Sequence, residues 1–284
     1  MGETLPRFFH LHLISDATGE TLNALAKAAA VQYSGIRAIE HVHALMRSRK
    51  QLERVMQEIE AAPGIVLYTL VNADLAADLE ARCSALNVPC VPVLAHIMKV
   101  FEAYLGPPSR PTIGGQHVLD AEYFRRIDAL NFTMLHDDGQ HLDSVSEADL
   151  VLVGISRTSK TPTSIYLAQR GYKTANIPLV PSLPLPPQVD AISGPFVVGL
   201  IASPERISQV RRNRVMALAD RDLKDYVDKD VIESEIAFTR KLCARHRWPV
   251  IDVSRRSIEE TAAAILQLYQ ERKAAMEEAG EGNF

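Results

Sequence analysis

The chain has 284 residues, 47% hydrophobic and 23% charged, with 31 basic and 35 acidic side chains and a net charge of −4. That suits a folded globular protein long enough for two domains, and the charge balance argues against nucleic acid or an anionic membrane as the main partner. No apolar run approaches the ~18 residues that span a bilayer. Cys83, Cys90 and Cys243 form no C-x-x-C pair, which points to reduced thiols in a cytoplasmic protein.

In chain order, "FFHLHLI" (8–14), "IRAIEHVHAL" (36–45), "GIVLYTL" (64–70) and "VPCVPVL" (88–94) read as strands. Between them, "ETLNALAKAAAVQY", "KQLERVMQEIEAA" and "ADLAADLEARCSAL" carry apolar residues at helical spacing. This alternation predicts a parallel sheet covered on both faces. The stretch "GPPSRPTIGGQH" (106–117) interrupts it with three prolines and three glycines. We therefore expect an α/β chain with an N-terminal domain over 1–105, a linker over 106–127 and a second domain over 128–284.

The second region repeats the alternation. "ADLVLVG" (148–154), "KTANIPLV" (173–180), "GPFVVGLIA" (194–202) and "WPVIDVS" (248–254) read as strands, with helical patterns up to about Gly171, near 229–245 and near 256–278. "PLVPSLPLPPQVD" has five prolines and reads as a surface loop. No internal sequence repeat is visible.

After the first of these strands come Gly154, Ile155, Ser156, Arg157, Thr158, Ser159, Lys160 and Thr161. They match the phosphate-loop pattern except that Ser159 stands where a second glycine is usual. A buried strand, a glycine turn and a helix with Pro162 in its first turn and Gly171 at its end supply the required context. Lys160 would then contact terminal phosphates and Thr161 would hold Mg²⁺. A Ser/Thr-rich helix start with capping side chains satisfies the same residues.

The segment 153–181 around this loop, "LISDATGETL" (13–22), "NFTMLHDDG" (131–139) and "SPERISQVRRNR" (203–214) resemble the bifunctional regulatory proteins of pyruvate, phosphate dikinase and phosphoenolpyruvate synthase. The resemblance covers essentially the whole chain. It implies a flavodoxin-like first half, a P-loop kinase-like second half and a serine/threonine kinase outside the usual protein-kinase fold. The implied forward reaction moves the β-phosphate of ADP to a dikinase threonine, releasing AMP. The implied reverse reaction removes it with inorganic phosphate, giving pyrophosphate. The target would be either enzyme, and a homodimer is expected from base rates alone. An ATP-dependent metabolite kinase and a non-catalytic nucleotide sensor stay open as alternatives.

Against that resemblance, Asp137 or Asp138 of "HDDG" would hold Mg²⁺ or take the threonine proton, unless the turn merely closes a hairpin. Arg206, Arg211, Arg212 and Arg214 would reach phosphates or form a solvated basic face. Asp252 reads as the cap of the last helix. Ser15, Asp16, Thr18 and Thr21 end the first strand, where open sheets place ligands. They would contact phosphate or the target, or cap the next helix. His10 with His12, and His41 with His43, share strand faces that could either bind a metal or pack.

Overall fold

The structure of the chain, a computed structural model, describes residues 7–107, 121–218 and 224–281. The chain divides into two compact units, Met1–Val118 and Leu119–Phe284. Both are α/β, and each contains one four-stranded, all-parallel sheet.

The first unit runs β1 (Arg7–Ser15), α1 (Glu20–Ala30), β2 (Ile36–His43), α2 (Arg49–Ala61), β3 (Gly64–Thr69), α3 (Ala73–Ala85), β4 (Cys90–Pro92) and α4 (Ala95–Leu105), with sheet order β2-β1-β3-β4. Strand β1 feeds two cores by alternation. Leu11 and Leu13 pack with Leu22 and Ala26 of α1, while Ile14 joins Leu52, Val55, Met56 and Ile59 of α2 and Leu75 and Leu79 of α3. Ser48 and Asn72 cap α2 and α3 by accepting from Gln51 N and Leu75 N. Helix α4 has apolar residues at helical spacing but no buried stripe: Ile97, Met98, Val100 and Phe101 are all exposed.

The second unit runs α5 (Ala121–Leu135), β5 (Leu150–Gly154), α6 (Lys160–Ala168), β6 (Thr174–Pro178), α7 (Pro187–Asp190), β7 (Phe196–Ile201), α8 (Pro204–Leu218), α9 (Lys224–Val227), α10 (Lys229–His246), β8 (Val250–Asp252) and α11 (Ile258–Glu281). Its order, β6-β5-β7-β8, repeats the first unit's pattern of a first strand flanked by the second and third. The two units share a winding that no sequence repeat announces. Strand β5 is buried along its whole length, as a central parallel strand must be. Leu150 and Leu152 face the cluster of Leu167, Ile207, Ile232, Ala262 and Ile265, and Val151 and Val153 face that of Phe132, Ile177, Val189 and Cys243.

Several expectations change. The expected linker lies mostly outside the described residues, and its last part, 121–127, is the first half of α5. The proline-rich loop ends in the single helical turn α7, because Pro187 fits a first helical position that needs no N–H. "HDDG" closes no hairpin; it is a 3-10 turn between α5 and β5, with Asp138 left-handed at φ 53°. Helix α1 takes left-handed Gly19, rather than Thr18 or Thr21, as its N-cap residue. Asp252 accepts from Ser254 N and Oγ, while Ser257 and Glu260 form the reciprocal capping box of α11.

The strand histidines pair with one another. His10 Nδ1 lies 2.9 Å from His41 Nε2, His12 Nδ1 lies 3.4 Å from His43 Nε2, and the His12 and His41 rings stack at 4.6 Å. Fully buried His12 also bonds to Ala62 O through Nε2 at 2.9 Å. These bonds engage both nitrogens of His12 and one each of His10, His41 and His43, and among the described residues no three His, Cys, Asp or Glu side chains converge on a metal position. Burial, reinforced by neighbouring imidazoles, holds His12 and His43 below the ordinary 6.5. The unfolded chain therefore binds more protons in the window just below 6.5, and the ladder's contribution is present above that value and lost as pH falls through it. Urea titrations should show the first unit's midpoint falling as pH drops below 6.5, and a midpoint constant across that window would contradict this reading.

Candidate functional site in the second unit

In an open parallel sheet, the crevice opens beyond the carboxyl ends of the strands where the winding reverses. Here that point is between β5 and β7, and the segment leaving β5 there is residues 155–159. Gly154 is required at the exit because a Cβ would sit 2.3 Å from Leu200 O of the adjacent strand.

The loop folds over its own carbonyls. Thr158 Oγ1 donates to Ile155 O at 3.0 Å, and Lys160 Nζ donates to the same oxygen at 2.9 Å. Lys160 is 7% exposed, and burial lowers its pKa to about 8, opposed by the charges of Asp138 and Asp137. An ammonium held this way is short of counter-charge, so an incoming phosphate oxygen is the natural partner for it.

Arg157 and Ser159 both adopt left-handed backbone, at φ 75° and 59°. Alternation into this region turns successive N–H groups toward one side, as anion-binding nests require. Ser159 is the N-cap residue of α6 but makes no side-chain cap bond, so the capping explanation of this Ser/Thr-rich stretch fails at its key position. It occupies the conformation that the usual glycine adopts without strain. Helix α6 ends as expected: Gly171, at φ 83°, closes a motif in which Gly171 N bonds Ala168 O and Tyr172 N bonds Leu167 O.

The "HDDG" turn meets the loop through one aspartate. Asp137 Oδ1 accepts from Thr161 Oγ1 at 3.1 Å and from Asn176 Nδ2 at 2.5 Å, and Asn176 Nδ2 lies 2.9 Å from Thr161 Oγ1. Asn176 was not singled out in the sequence; it sits in an ordinary-looking strand, β6, and only the register beside β5 brings it here. Its Oδ1 is buried without a protein partner. Asp138 is exposed. His136 anchors the turn, bonding Phe132 O and Ser144 Oγ and offering its carbonyl to Asn176 N.

Of the other candidates, Arg211 is 1% exposed, ion-paired to Glu235 at 2.6 Å and 3.4 Å from Ser156 O, so it braces the loop rather than forming a solvated face. Arg206 is exposed in the first turn of α8, its N–H capped by Ser203 Oγ. Arg212 is exposed, and the Arg214 side chain lies outside the described residues. Ser15, Asp16 and Thr18 belong to the first unit. Ser15 Oγ accepts from Ala17 N and Thr69 Oγ1, and Asp16 Oδ2 accepts from Val71 N at 2.7 Å, which ties the ends of β1 and β3 together. Thr18 is exposed beside them.

The strained serine generates a direct expectation. Ser159→Gly should raise unfolding stability by roughly 1 kcal/mol, because glycine removes the left-handed penalty. A denaturant midpoint measures it, and a clear loss of stability would show that the Ser159 conformation carries no strain.

The model of the Kinase/pyrophosphorylase family matches residues 11–266. A protein from Chelativorans sp. (strain BNC1) is 62% identical over 92% of this chain and 96% of its own length. One from Rhizobium meliloti (strain 1021) is 58% identical over 94% and 98%, and one from Bradyrhizobium diazoefficiens is 56% identical over 95% and 97%. All three carry the provisional name pyruvate, phosphate dikinase regulatory protein. This chain belongs to the Kinase/pyrophosphorylase family.

Proposed function

We propose that this protein is an ADP-dependent threonine kinase and phosphate-dependent phosphorylase acting on pyruvate, phosphate dikinase, with residues 154–161 as its phosphate loop. The observation that carries the reading is the buried Lys160 ammonium, bonded among the described residues only to a main-chain carbonyl at the entrance of α6, with the Asp137–Thr161–Asn176 cluster beside it. The relatives' names supply the partner, and the family's description pairs a kinase with a pyrophosphorylase. Phosphoenolpyruvate synthase is the other target compatible with the resemblance.

In this reading the loop N–H groups and Lys160 bind the diphosphate of ADP and neutralise charge that develops on the transferring group. The threonine oxygen attacks the β-phosphorus, the bond to the bridging oxygen breaks, and AMP leaves. Asp138, the exposed carboxylate of the turn, takes the threonine proton. In reverse, an oxygen of inorganic phosphate attacks phosphothreonine, pyrophosphate forms, and Asp138 returns the proton to the threonine.

The donor set also fits Mg²⁺. Asp137 Oδ1 and Thr161 Oγ1 are hard oxygens 3.1 Å apart, and Asn176 Oδ1 beside them is a buried oxygen without a protein partner. Asp137 and Thr161 would hold the ion, which supplies charge neutralisation at the phosphates when bound. Asn176 Nδ2 donates to both of these oxygens and so orients them toward each other.

The test combines purified protein, ADP labelled at the β-phosphate, and dikinase with and without the substrate that phosphorylates its histidine. Label on a dikinase threonine is the expected outcome, and Lys160→Ala should lower its rate by about 10³-fold. Transfer from γ-labelled ATP to a small acceptor would replace this reading with a metabolite kinase. Tight ADP binding without any transfer would make the protein a sensor.

A further inference from the structure

One constellation beside the loop has no role in the reaction just described. The phenol oxygen of Tyr226, in α9, lies 3.1 Å from Ser156 Oγ and accepts from Arg157 Nε at 3.5 Å. The tyrosine is held from behind by Arg211, which donates to the Tyr226 carbonyl at 3.0 Å and lies over its ring at 4.5 Å. Arg211 is in turn fixed by Glu235. A side chain gripped at ring and backbone is positioned at little further cost when a ligand arrives.

A proton count shows what this corner offers. Ser156 and Tyr226 have two hydroxyl protons between them, and one of these joins the two oxygens. Arg157 only donates, so it cannot accept the other. Among the described hydrogen bonds, that second proton has no protein acceptor. The result is a spare O–H donor next to a guanidinium, on the loop already assigned to phosphate. Donors of this kind, charge-assisted and fixed, recognise a phosphate oxygen.

We propose that Tyr226 is a phosphate-binding residue, forming with Ser156 and Arg157 a subsite for a non-bridging oxygen of a nucleoside diphosphate or of inorganic phosphate. This rests on the reading of residues 154–161 as a phosphate loop. The electrostatics are consistent with it. Burial alone pushes the Tyr226 phenol up, yet the Ser156 and Arg157 hydrogen bonds and the charges of Arg157 and Arg211 bring it below its ordinary value, which makes its O–H a stronger donor.

The experiment titrates the full-length protein with ADP and, separately, with inorganic phosphate, reading affinity by calorimetry and folding by melting temperature. Tyr226→Phe keeps the ring over Arg211 and removes only the hydroxyl. It should weaken at least one of the two ligands about tenfold with an unchanged melting temperature. Ser156→Ala should weaken the same ligand, and the double variant should be little worse than either single one, because both remove one shared subsite. The ligand affected identifies whose oxygen the subsite takes. Unchanged affinity for both ligands in Tyr226→Phe, with affinity lost in Lys160→Ala, would overturn the subsite and leave the loop standing. Tighter binding in Tyr226→Phe would show a plug that competes with phosphate, and would also overturn it. Unchanged affinity in Lys160→Ala would remove the loop reading itself.

Discussion

The second unit is organised around a buried cation. Lys160 points its ammonium into the loop that leaves β5 and gives it to Ile155 O rather than to a carboxylate in contact. Removing such a group from water costs free energy unless something of opposite charge arrives. The surroundings hold it in place nonetheless: β5 is buried throughout, Gly154 lets the chain pass against Leu200 O, and Arg211 and Tyr226 fix Ser156 from outside. Local strain at Arg157 and Ser159 belongs to the same pattern, since left-handed non-glycine residues persist only where neighbours over-determine them.

The sheet explains why the loop is where it is. In each unit the first strand is flanked by the second and third, so the connection after it opens at the reversal point. In the second unit that position carries Lys160, Thr161 and the Asp137 contact. In the first it carries Ser15 and Asp16, whose side chains are occupied with Ala17, Thr69 and Val71. The same winding thus supports an acceptor-poor, cation-bearing loop in one unit and an internally satisfied turn in the other.

What could be read from the sequence follows from how local each signal is. The eight strands among the described residues announce themselves as apolar or alternating stretches, and α2 and α3 as apolar stripes. The strand, turn and helix over 150–171 are legible because Gly154, Pro162 and Gly171 stand where a sharp exit, a first helical turn and a left-handed helix end need them. Helix α4 escapes that reading although Ile97, Met98, Phe101, Tyr104 and Leu105 recur at helical spacing: it directly follows the apolar run 88–94, and its apolar side chains stay exposed. The role of Asp137, as against Asp138, depends on a 3-10 turn and the neighbouring register of β6, and Asn176 enters by that same register. Asp252 reads as the cap of the last helix, and only the contacts of Ser257 and Glu260 show that they close it instead. Tyr226 lies about seventy residues from Ser156, and only tertiary structure joins them.

The most direct test of the claim that residues 154–161 bind phosphate is backbone amide hydrogen exchange on the full-length protein, with and without ADP. The expected result is slowed exchange at the amides of the loop and the first turn of α6, spreading to Tyr226. Protection that left 155–161 unchanged while another segment became ordered would contradict the claim and place the nucleotide elsewhere.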